Sequence, residues 1–296
     1  LGKNGGVADA VSSTAVNEPA VVYVTETGTK TYKTASGAEY TSFYFKGVKP
    51  NGSAIEYTTD QDWIKPGDML KLSFDSDGNM SVGTAKTGSN ITGSADADLC
   101  LIGSTSIAPN AIILDTNLGN YKPTSLQRLD GVWFQAGDVL YYEAGGGKVT
   151  TLILNDVTGD TSKYGVVTSA SSGDSSGSYE YMIDGVTAKL NTSNSTLGVH
   201  TGAAEFYGES GSISMIRNLY GISTKVKTFN SAQITVNDSV GTYPLSADVA
   251  VYAKESGSYK VSTLSEALNA FQAKKMVSFY YDKAPKEGGC VRVIIY

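Results

Sequence analysis

The only two tryptophans of the chain begin the same eight-residue phrase, seventy residues apart. The two copies are Trp63-Ile64-Lys65-Pro66-Gly67-Asp68-Met69-Leu70 and Trp133-Phe134-Gln135-Ala136-Gly137-Asp138-Val139-Leu140. Each copy leads into two predicted strands separated by a glycine-containing turn. A fixed period of this kind is the signature of repeated structural units. The phrase therefore predicts a repeat architecture, and its repetition favours a structural role over a catalytic one.

A second, longer period of about 138 residues relates the two halves of the chain. It is carried by three matches: Gly119–Leu126 with Gly257–Leu264, Phe43–Val48 with Tyr181–Val186 and, one residue later, Leu140–Glu143 with Phe279–Asp282. Because these matches share one register, we predict four units in an A-B-A-B arrangement. The third unit has Thr201-Gly202-Ala203-Ala204-Glu205 where the tryptophan phrase would stand.

These periods predict the domain organisation. The first repeat pair is expected at 20–160, with units of about 20–90 and 91–160, and the second pair at 161–296, with units of about 161–222 and 223–296. Residues 1–19 have little periodicity and predict a linker or a frayed N-terminal segment. A short connection joins the two pairs near residue 160, which predicts limited hinge freedom there.

The composition favours an all-β fold. The chain has 33 glycines and 19 tyrosines but only 18% charged residues, as expected for strands and turns. We therefore predict tandem small β-barrel or sandwich units with one or two short helices. One helix is expected near Thr124 and one at Thr263, where Glu266 completes a capping box. The last strand, 291–295, is apolar on both faces and is predicted to be central or covered.

Charge, hydropathy and cysteine content limit the classes of partner. The net charge of −6 and the lack of Lys/Arg clusters argue against nucleic-acid binding. No apolar stretch approaches the roughly 20 residues of a membrane helix, so no membrane span is expected and the segment is predicted to be soluble. Cys100 and Cys290 stand at non-equivalent places in the repeat, which favours two buried free thiols over a disulfide.

The sequence gives little support for catalysis. Its only histidine, His200, lies in a polar, turn-like stretch, and no G-x-S-x-G nucleophile motif accompanies it. We therefore expect a loop histidine and a protein that is not an enzyme. A pair of carboxylates for glycan hydrolysis cannot be selected among 29 acidic residues without a fold.

One stretch has the donor spacing of a calcium loop. Asp75, Asp77 and Asn79 offer alternating oxygen ligands, and calcium is the one cofactor considered. The distal bidentate Glu is missing, and the same residues suit the tip of a β-hairpin, which is the preferred interpretation. Further oxygen donors are still weaker candidates: Asn155, Asp156 and Asp160, and Asp96 with Asp98.

Trp63 and Trp133 are the candidate ligand-binding residues, because aromatic rings stack on sugars in many carbohydrate-binding modules. Packing in the β core or between units is the preferred interpretation of the two rings. Buried tryptophans would favour a scaffold, and exposed ones would favour binding. The Gly-Asp pairs of the two phrases are predicted to form tight turns in which the aspartate accepts backbone hydrogen bonds.

The repeated segments carry a resemblance. Gly257-Ser258-Tyr259-Lys260, Leu264, Val277–Asp282 and Gly288–Ile295, with Val149–Asp160 in the first half, resemble the repeat regions beside S-layer-homology domains in surface proteins of clostridia-like Gram-positive bacteria. The resemblance covers most of residues 20–296, and the S-layer-homology module itself is not among them. It implies an exported cell-surface protein that is anchored elsewhere in a longer chain, and it assigns no catalytic or binding residue.

The expected function is therefore a non-enzymatic structural or display segment of an extracellular, S-layer-type protein on the bacterial cell surface. Its expected partners are the cell wall or neighbouring copies of the surface protein. A module that binds polysaccharide or a host surface through exposed Tyr and Trp is the alternative, and a glycan or peptidoglycan hydrolase is a distant third.

Overall fold

The computed structural model describes residues 19–34, 36–85, 90–173, 176–193, 198–237 and 239–296. Apart from Pro19, the predicted N-terminal linker lies outside the described residues. Within them the chain forms 24 strands in four sheets and one α-helix, which confirms the all-β prediction. Contacts divide the chain into unit 1, residues 1–156 with 209–211, and unit 2, residues 157–208 with 212–296.

Unit 1 contains two sheets. The first has the order β3-β2-β1-β4-β5, with β1 (Ala20–Lys33), β2 (Glu39–Val48), β3 (Ala54–Thr59), β4 (Met69–Phe74) and β5 (Met80–Thr84). The second has the order β10-β6-β7-β8-β12-β11, and β9 pairs with β8. Its strands are β6 (Gly93–Asp96), β7 (Leu101–Ile102), β8 (Thr105–Asn117), β9 (Asn120–Thr124), β10 (Trp133–Phe134), β11 (Val139–Gly145) and β12 (Lys148–Asn155). Strands β8 and β12 are parallel.

Unit 2 also contains two sheets. The third sheet has the order β15-β14-β13-β16-β17, with β13 (Lys163–Ser172), β14 (Gly177–Ile183), β15 (Val186–Thr192), β16 (Gly202–Tyr207) and β17 (Met215–Asn218). The fourth has the order β18-β23-β24-β21-β20-β19, and β22 pairs with β21. Its elements are β18 (Tyr220–Gly221), β19 (Val226–Phe229), β20 (Gln233–Val236), β21 (Thr242–Glu255), β22 (Ser258–Val261), α1 (Leu264–Gln272), β23 (Ser278–Tyr281) and β24 (Val291–Ile295). Strands β21 and β24 are parallel.

The two units repeat one architecture in an A-B-A-B arrangement. The first and third sheets have the same strand order, and the second and fourth share a parallel pair of strands with a hairpin strand beside it. The hairpin turns match at the predicted offset, because Leu118 and Gly119 have φ angles of 47° and 83° and Ser256 and Gly257 have 50° and 86°. Only glycine adopts such angles without strain, which explains the glycine at the second position of each turn.

Two of the three sequence matches are wrong in register. Glu143 pairs with Thr151 beside the bulge in β12 as Tyr280 pairs with Val293 beside the bulge in β24, so Glu143 corresponds to Tyr280 and not to Asp282. Phe43–Val48 lies wholly in β2, whereas Asp184 and Gly185 form the turn between β14 and β15. Lys46 pairs with the residue just after the bulge in β1, and Glu180 pairs with the residue just after the bulge in β13. Lys46 therefore corresponds to Glu180, four residues before its predicted partner Asp184. Hairpins of different length shift the offset locally, which a single period cannot describe.

Each unit has a core between its two sheets. In unit 1 this cluster contains Tyr23, Val48, Met69, Leu114 and Ile153. In unit 2 the strand pairings place five residues at the same positions: Val166, Met182, Ala203, Tyr252 and Ile295. A second cluster covers the opposite face of the first sheet. Met69 is 4% exposed although it alternates with Leu70 and Leu72 along β4, because the second sheet covers its side of the strand.

One of the two predicted helices is present. Helix α1 begins after Thr263, whose side chain accepts a hydrogen bond from the Glu266 amide while the Glu266 carboxylate accepts one from the Thr263 amide, as predicted. The segment after Thr124 is instead a series of turns, with Arg128 N–H donating to the Ser125 carbonyl. It starts directly after Thr124, the last residue of β9, and ends before Trp133 of β10, which leaves only eight residues for it.

Two further predictions concern the end of the chain and the thiols. All five residues of β24 are buried, as expected for a strand that is covered on both faces. Cys100 and Cys290 form no disulfide with each other, and Cys290 is buried as predicted whereas Cys100 is only half-buried. Among the described residues, no helix is both long enough and apolar enough to cross a membrane.

Candidate functional site

The two tryptophan phrases form the same turn. Gly67 and Gly137 have φ angles of 96° and 98°, in the region required at the third position of a type II turn. The amide of Lys65 donates to the carboxylate of Asp68 at 2.8 Å, and the amide of Gln135 donates to that of Asp138 at 2.7 Å. The predicted role of the Gly-Asp pairs as tight turns is therefore confirmed.

The tryptophans themselves lie at the surface. Trp63 is 41% exposed and Trp133 is 57% exposed, whereas the residues that follow them, Ile64 and Phe134, are 6% and 0% exposed. The expectation that the two rings pack in the core is therefore wrong. In each phrase the second residue anchors the turn in the core, because alternate residues of an extended segment point to opposite sides.

The Trp63 ring is held in place at the surface. Its indole N–H donates to the Gln61 side-chain carbonyl at 2.8 Å. Trp133 lies in β10, where it pairs with Ser94 of β6. An indole that is fixed by its neighbours loses little conformational freedom when a ligand stacks on it, so the Trp63 ring has a property that a contact site needs.

The calcium candidates lie at a hairpin tip. Asp75, Asp77 and Asn79 connect β4 with β5. The Asp75 carboxylate accepts hydrogen bonds from the amides of Asp77 and Asn79, at 2.9 and 2.8 Å, and from the Asn79 side chain at 2.8 Å. These bonds, that from the Asn79 side chain first, lower the pKa of Asp75. In this conformation the carboxylate closes the turn, as the hairpin interpretation requires.

The weaker acidic candidates also have structural partners. Asp96 accepts a hydrogen bond from the Leu99 amide at 2.8 Å, and Asp160 forms an ion pair with Arg292 at 2.6 Å. Among the described residues, no group of three or more His, Cys, Asp or Glu side chains is placed to hold a metal ion. His200 is exposed and lies outside the strands, and its Nδ1 is 2.9 Å from the Thr201 carbonyl.

One face of the first sheet carries a paired set of charges, on the same side of β2 as Val48. The Glu26 carboxylate accepts hydrogen bonds from the Tyr44 hydroxyl at 2.6 Å and from Lys46 at 3.0 Å, and these contacts, the tyrosine first, lower its pKa. Lys30 forms an ion pair with Glu56, and its ammonium lies 4.8 Å from the centre of the Tyr44 ring. Two lysines and two glutamates thus neutralise each other on this face.

Unit 2 contains a buried ionic network that sequence reasoning missed. Arg292 of β24 is 1% exposed. Its Nε donates to Asp282 at 2.9 Å, and one terminal nitrogen donates to Asp160 at 2.6 Å and to the Ser246 hydroxyl at 3.0 Å. The other terminal nitrogen donates to the Thr158 carbonyl. The charges of Asp282 and Asp160 hold the guanidinium in its charged form against the cost of burial.

Asp282 is satisfied as fully as the arginine. One carboxylate oxygen accepts hydrogen bonds from the amides of Lys283 and Cys290, both at 2.9 Å. The other accepts the Arg292 bond and lies 3.2 Å from the Tyr164 hydroxyl oxygen. The close carboxylates of this unit, Asp160 and Asp282, therefore bind one guanidinium. Asp282 is 2% exposed, so it does not face a cleft in which a glycan could be hydrolysed.

One signal in the sequence points to this network. Arg292 is the only charged residue of a strand that is apolar on both faces, and a charge in such a strand must find a partner when it is buried. The partners could not be identified in the same way, because Asp160 lies 132 residues away.

A shallow cavity lies at the end of the third sheet, beside the turn between β13 and β14. Its volume is about 450 Å³. The lining is uncharged and rich in hydroxyl groups: Ser171, Gly173, Ser176, Gly177, Ser178, Asn191, Thr192 and Ser193. Two of these, Ser178 and Asn191, are hydrogen-bonded to each other at 2.8 Å.

The candidate site is thus a set of exposed tryptophans on repeated turns, and the buried charges serve internal contacts. A scan against protein-family models and a search of the curated proteins both gave no match for this chain.

Proposed function

We propose that the chain is a non-enzymatic structural or display segment of an exported bacterial cell-surface protein. The duplicated architecture is the observation that carries this proposal. Two units share strand order, hairpin turns and the positions of an inter-sheet core, although their sequences differ at most of these positions. What the duplication preserves is a packed shape, which is what a spacer or display element must supply.

The use of charge supports the same proposal. The buried ions of unit 2, Arg292 and Asp282, are saturated by internal hydrogen bonds, and Glu205 is paired with Arg217. The lysines and glutamates of the first sheet also pair with one another. A reaction centre needs polar groups that are directed at a substrate, whereas these groups form hydrogen bonds and ion pairs with other residues of the chain.

Labelling of intact cells tests this function. Antibodies raised against the purified chain are expected to label unpermeabilised cells of the organism that encodes it, and the signal should be found in the cell-wall fraction. An antibody against a cytoplasmic protein serves as the control for cell integrity. Label that appears only after permeabilisation would overturn the proposal.

Exposure of the tryptophans favours a second candidate function, the binding of polysaccharide. Trp63 and Trp133 are 41% and 57% exposed at equivalent turns, and an exposed indole is a surface on which a sugar ring can stack. The partner would be a cell-wall or other polysaccharide.

Retention on insoluble polysaccharide tests this candidate. The double variant Trp63→Ala, Trp133→Ala should lose retention, and Tyr220→Ala, which removes an exposed ring outside the phrases, should keep it. Equal retention of the double variant and the parent chain would exclude a role of the indoles in binding.

A further inference from the structure

The Arg292 network joins the beginning of unit 2 to its end. Residues 157–160 are the first four of the unit, and β24 is its last strand. Arg292 donates from β24 to the Thr158 carbonyl and to the Asp160 carboxylate. The two contacts span 134 and 132 residues of sequence. The chain segments on which tension would act at either end of unit 2 are therefore bonded directly to each other.

Tyr164 and Gly159 pack closely around the Arg292 guanidinium. The guanidinium lies 4.7 Å from the centre of the Tyr164 ring, and the Tyr164 hydroxyl donates to the Gly159 carbonyl at 2.7 Å. Gly159 has a φ of 70°, and a Cβ there would lie 2.4 Å from the Asp282 carboxylate and 2.9 Å from Arg292. Only glycine lets the backbone of the first segment approach the ion pair this closely.

Separation of the two segments would be costly. The buried guanidinium would lose two partners at once, the carboxylate of Asp160 and the backbone carbonyl of Thr158. A buried charge that loses its partners is strongly destabilised. In addition, β24 is bonded on both sides, to β21 in parallel and to β23 in antiparallel orientation. A pull along β24 therefore acts on both sets of hydrogen bonds together.

Unit 1 lacks this arrangement among its described residues. The bulge in β12 places Thr150 where the bulge in β24 places Arg292. Thr150 is exposed, and its hydroxyl donates to the Glu143 carbonyl at 3.3 Å. The two units share a fold but differ at this position, so unit 1 serves as a reference within the same molecule.

We propose that the Arg292 network is a mechanical clasp, which ties the first segment of unit 2 to its last strand and sets the rate at which the unit unfolds under tension. The biological role of this clasp rests on the proposed function, because a segment on the cell surface is exposed to mechanical tension. The physical property itself does not depend on where the protein resides.

Single-molecule stretching of the whole chain from its two ends tests the clasp. The parent chain should unfold in two events, and the more resistant event is assigned to unit 2. Arg292→Lys keeps the charge but loses the planar set of donors. It should increase the unfolding rate of the more resistant event at a given force by about tenfold or more, and leave the other event unchanged.

Two further variants keep the test decisive. Asp160→Asn removes one partner whose side chain is 19% exposed, so the fold should tolerate it while the more resistant event weakens in the same direction. Lys260→Gln breaks the exposed ion pair with Glu255 and should change neither event. Unchanged unfolding rates in both Arg292→Lys and Asp160→Asn would overturn the clasp. A clasp that holds in a chain absent from the cell surface would instead count against the proposed function alone.

Discussion

Tyr252 on β21 occupies the position in unit 2 that Leu114 holds on β8 in unit 1. Each lies three residues before the end of its strand, and each pairs in parallel with an isoleucine of the last strand of its unit. The larger side chain of Tyr252 is matched by a smaller one in the facing sheet, where Val166 of unit 2 stands at the position of Tyr23 in unit 1. Each inter-sheet core thus contains one tyrosine at these two positions, but the two units supply it from opposite sheets.

The tyrosine of each unit also bonds across its own inter-sheet core. The Tyr23 hydroxyl accepts a hydrogen bond from the Gly119 amide at 3.0 Å, and the Tyr252 hydroxyl donates to the Met182 carbonyl at 3.2 Å. The duplicated core therefore keeps its volume and a tyrosine hydroxyl that bonds between the sheets, although the residues that supply them differ.

We predict that Tyr23→Phe destabilises the chain by about 1–3 kcal/mol, because it leaves the Gly119 amide without an acceptor in a buried place. In the same variant, the Gly119 amide should exchange its hydrogen faster than in the parent chain, which NMR measures. Tyr121→Phe changes an exposed ring on the neighbouring strand β9 and is the matched control. Equal protection of Gly119 in the variant and the parent chain would show that this contact does not hold the two sheets together.

We predict that ionisation of Tyr252 lowers the stability of the chain at high pH. Burial, aided by the charge of Asp184, raises the pKa of Tyr252 to about 12 from the ordinary value of 10.0. Because the unfolded chain ionises first, the stability from the neutral side chain is complete below pH 10 and is lost as the pH rises towards 12. Burial also raises the pKa of Tyr23, which acts in the same direction.

Thermal melting between pH 8 and pH 12 measures this effect. Tyr252→Phe cannot ionise, so the difference in melting temperature between this variant and the parent chain should move in favour of the variant above pH 10. Tyr220→Phe, at a ring that is 56% exposed, should follow the profile of the parent chain. A constant difference across the whole range would contradict the prediction.

Neighbouring substitutions in the second tryptophan phrase should have opposite outcomes. Phe134→Ala removes a fully buried ring and should cost about 3–5 kcal/mol. Trp133→Ala removes a ring that is 57% exposed and should cost no more than about 1 kcal/mol. Ile64→Ala and Trp63→Ala repeat the comparison in the first phrase, with chemical denaturation as the measurement. A large loss of stability in Trp133→Ala would restore a packing role for the ring.

Features that depend on contiguous residues could be predicted from the sequence. The hairpin tip at Asp75–Asn79, the Gly-Asp turns and the capping box of Thr263 all followed, because the groups that fix each turn are neighbours in the chain. The strand-rich fold and the duplication followed in the same way, from alternation and from matching turns. At this level chemistry and local geometry determine each other.

Features that depend on distant residues could not be predicted. The exposure of Trp133 depends on which side of β10 faces the core, and that is set by pairing with Ser94 of β6. Met69 is buried because a second sheet covers its strand, which the alternation in β4 does not reveal. The Arg292 network required the first and last segments of unit 2 to meet. In each case, tertiary contacts decide an outcome that a local pattern leaves open.

Two glycines with similar backbone angles in unit 2 provide the strictest test of its buried network. Gly159 and Gly257 have φ angles of 70° and 86°, so alanine is strained by about 1–2 kcal/mol at either position. A Cβ at Gly257 meets nothing within 4 Å, whereas one at Gly159 overlaps the carboxylate of Asp282. Gly159→Ala should therefore be the more destabilising change, by at least about 2 kcal/mol beyond Gly257→Ala in chemical denaturation. Equal losses would mean that the first segment of unit 2 can move away from Arg292 at no cost, because the shared backbone strain would then account for the whole effect.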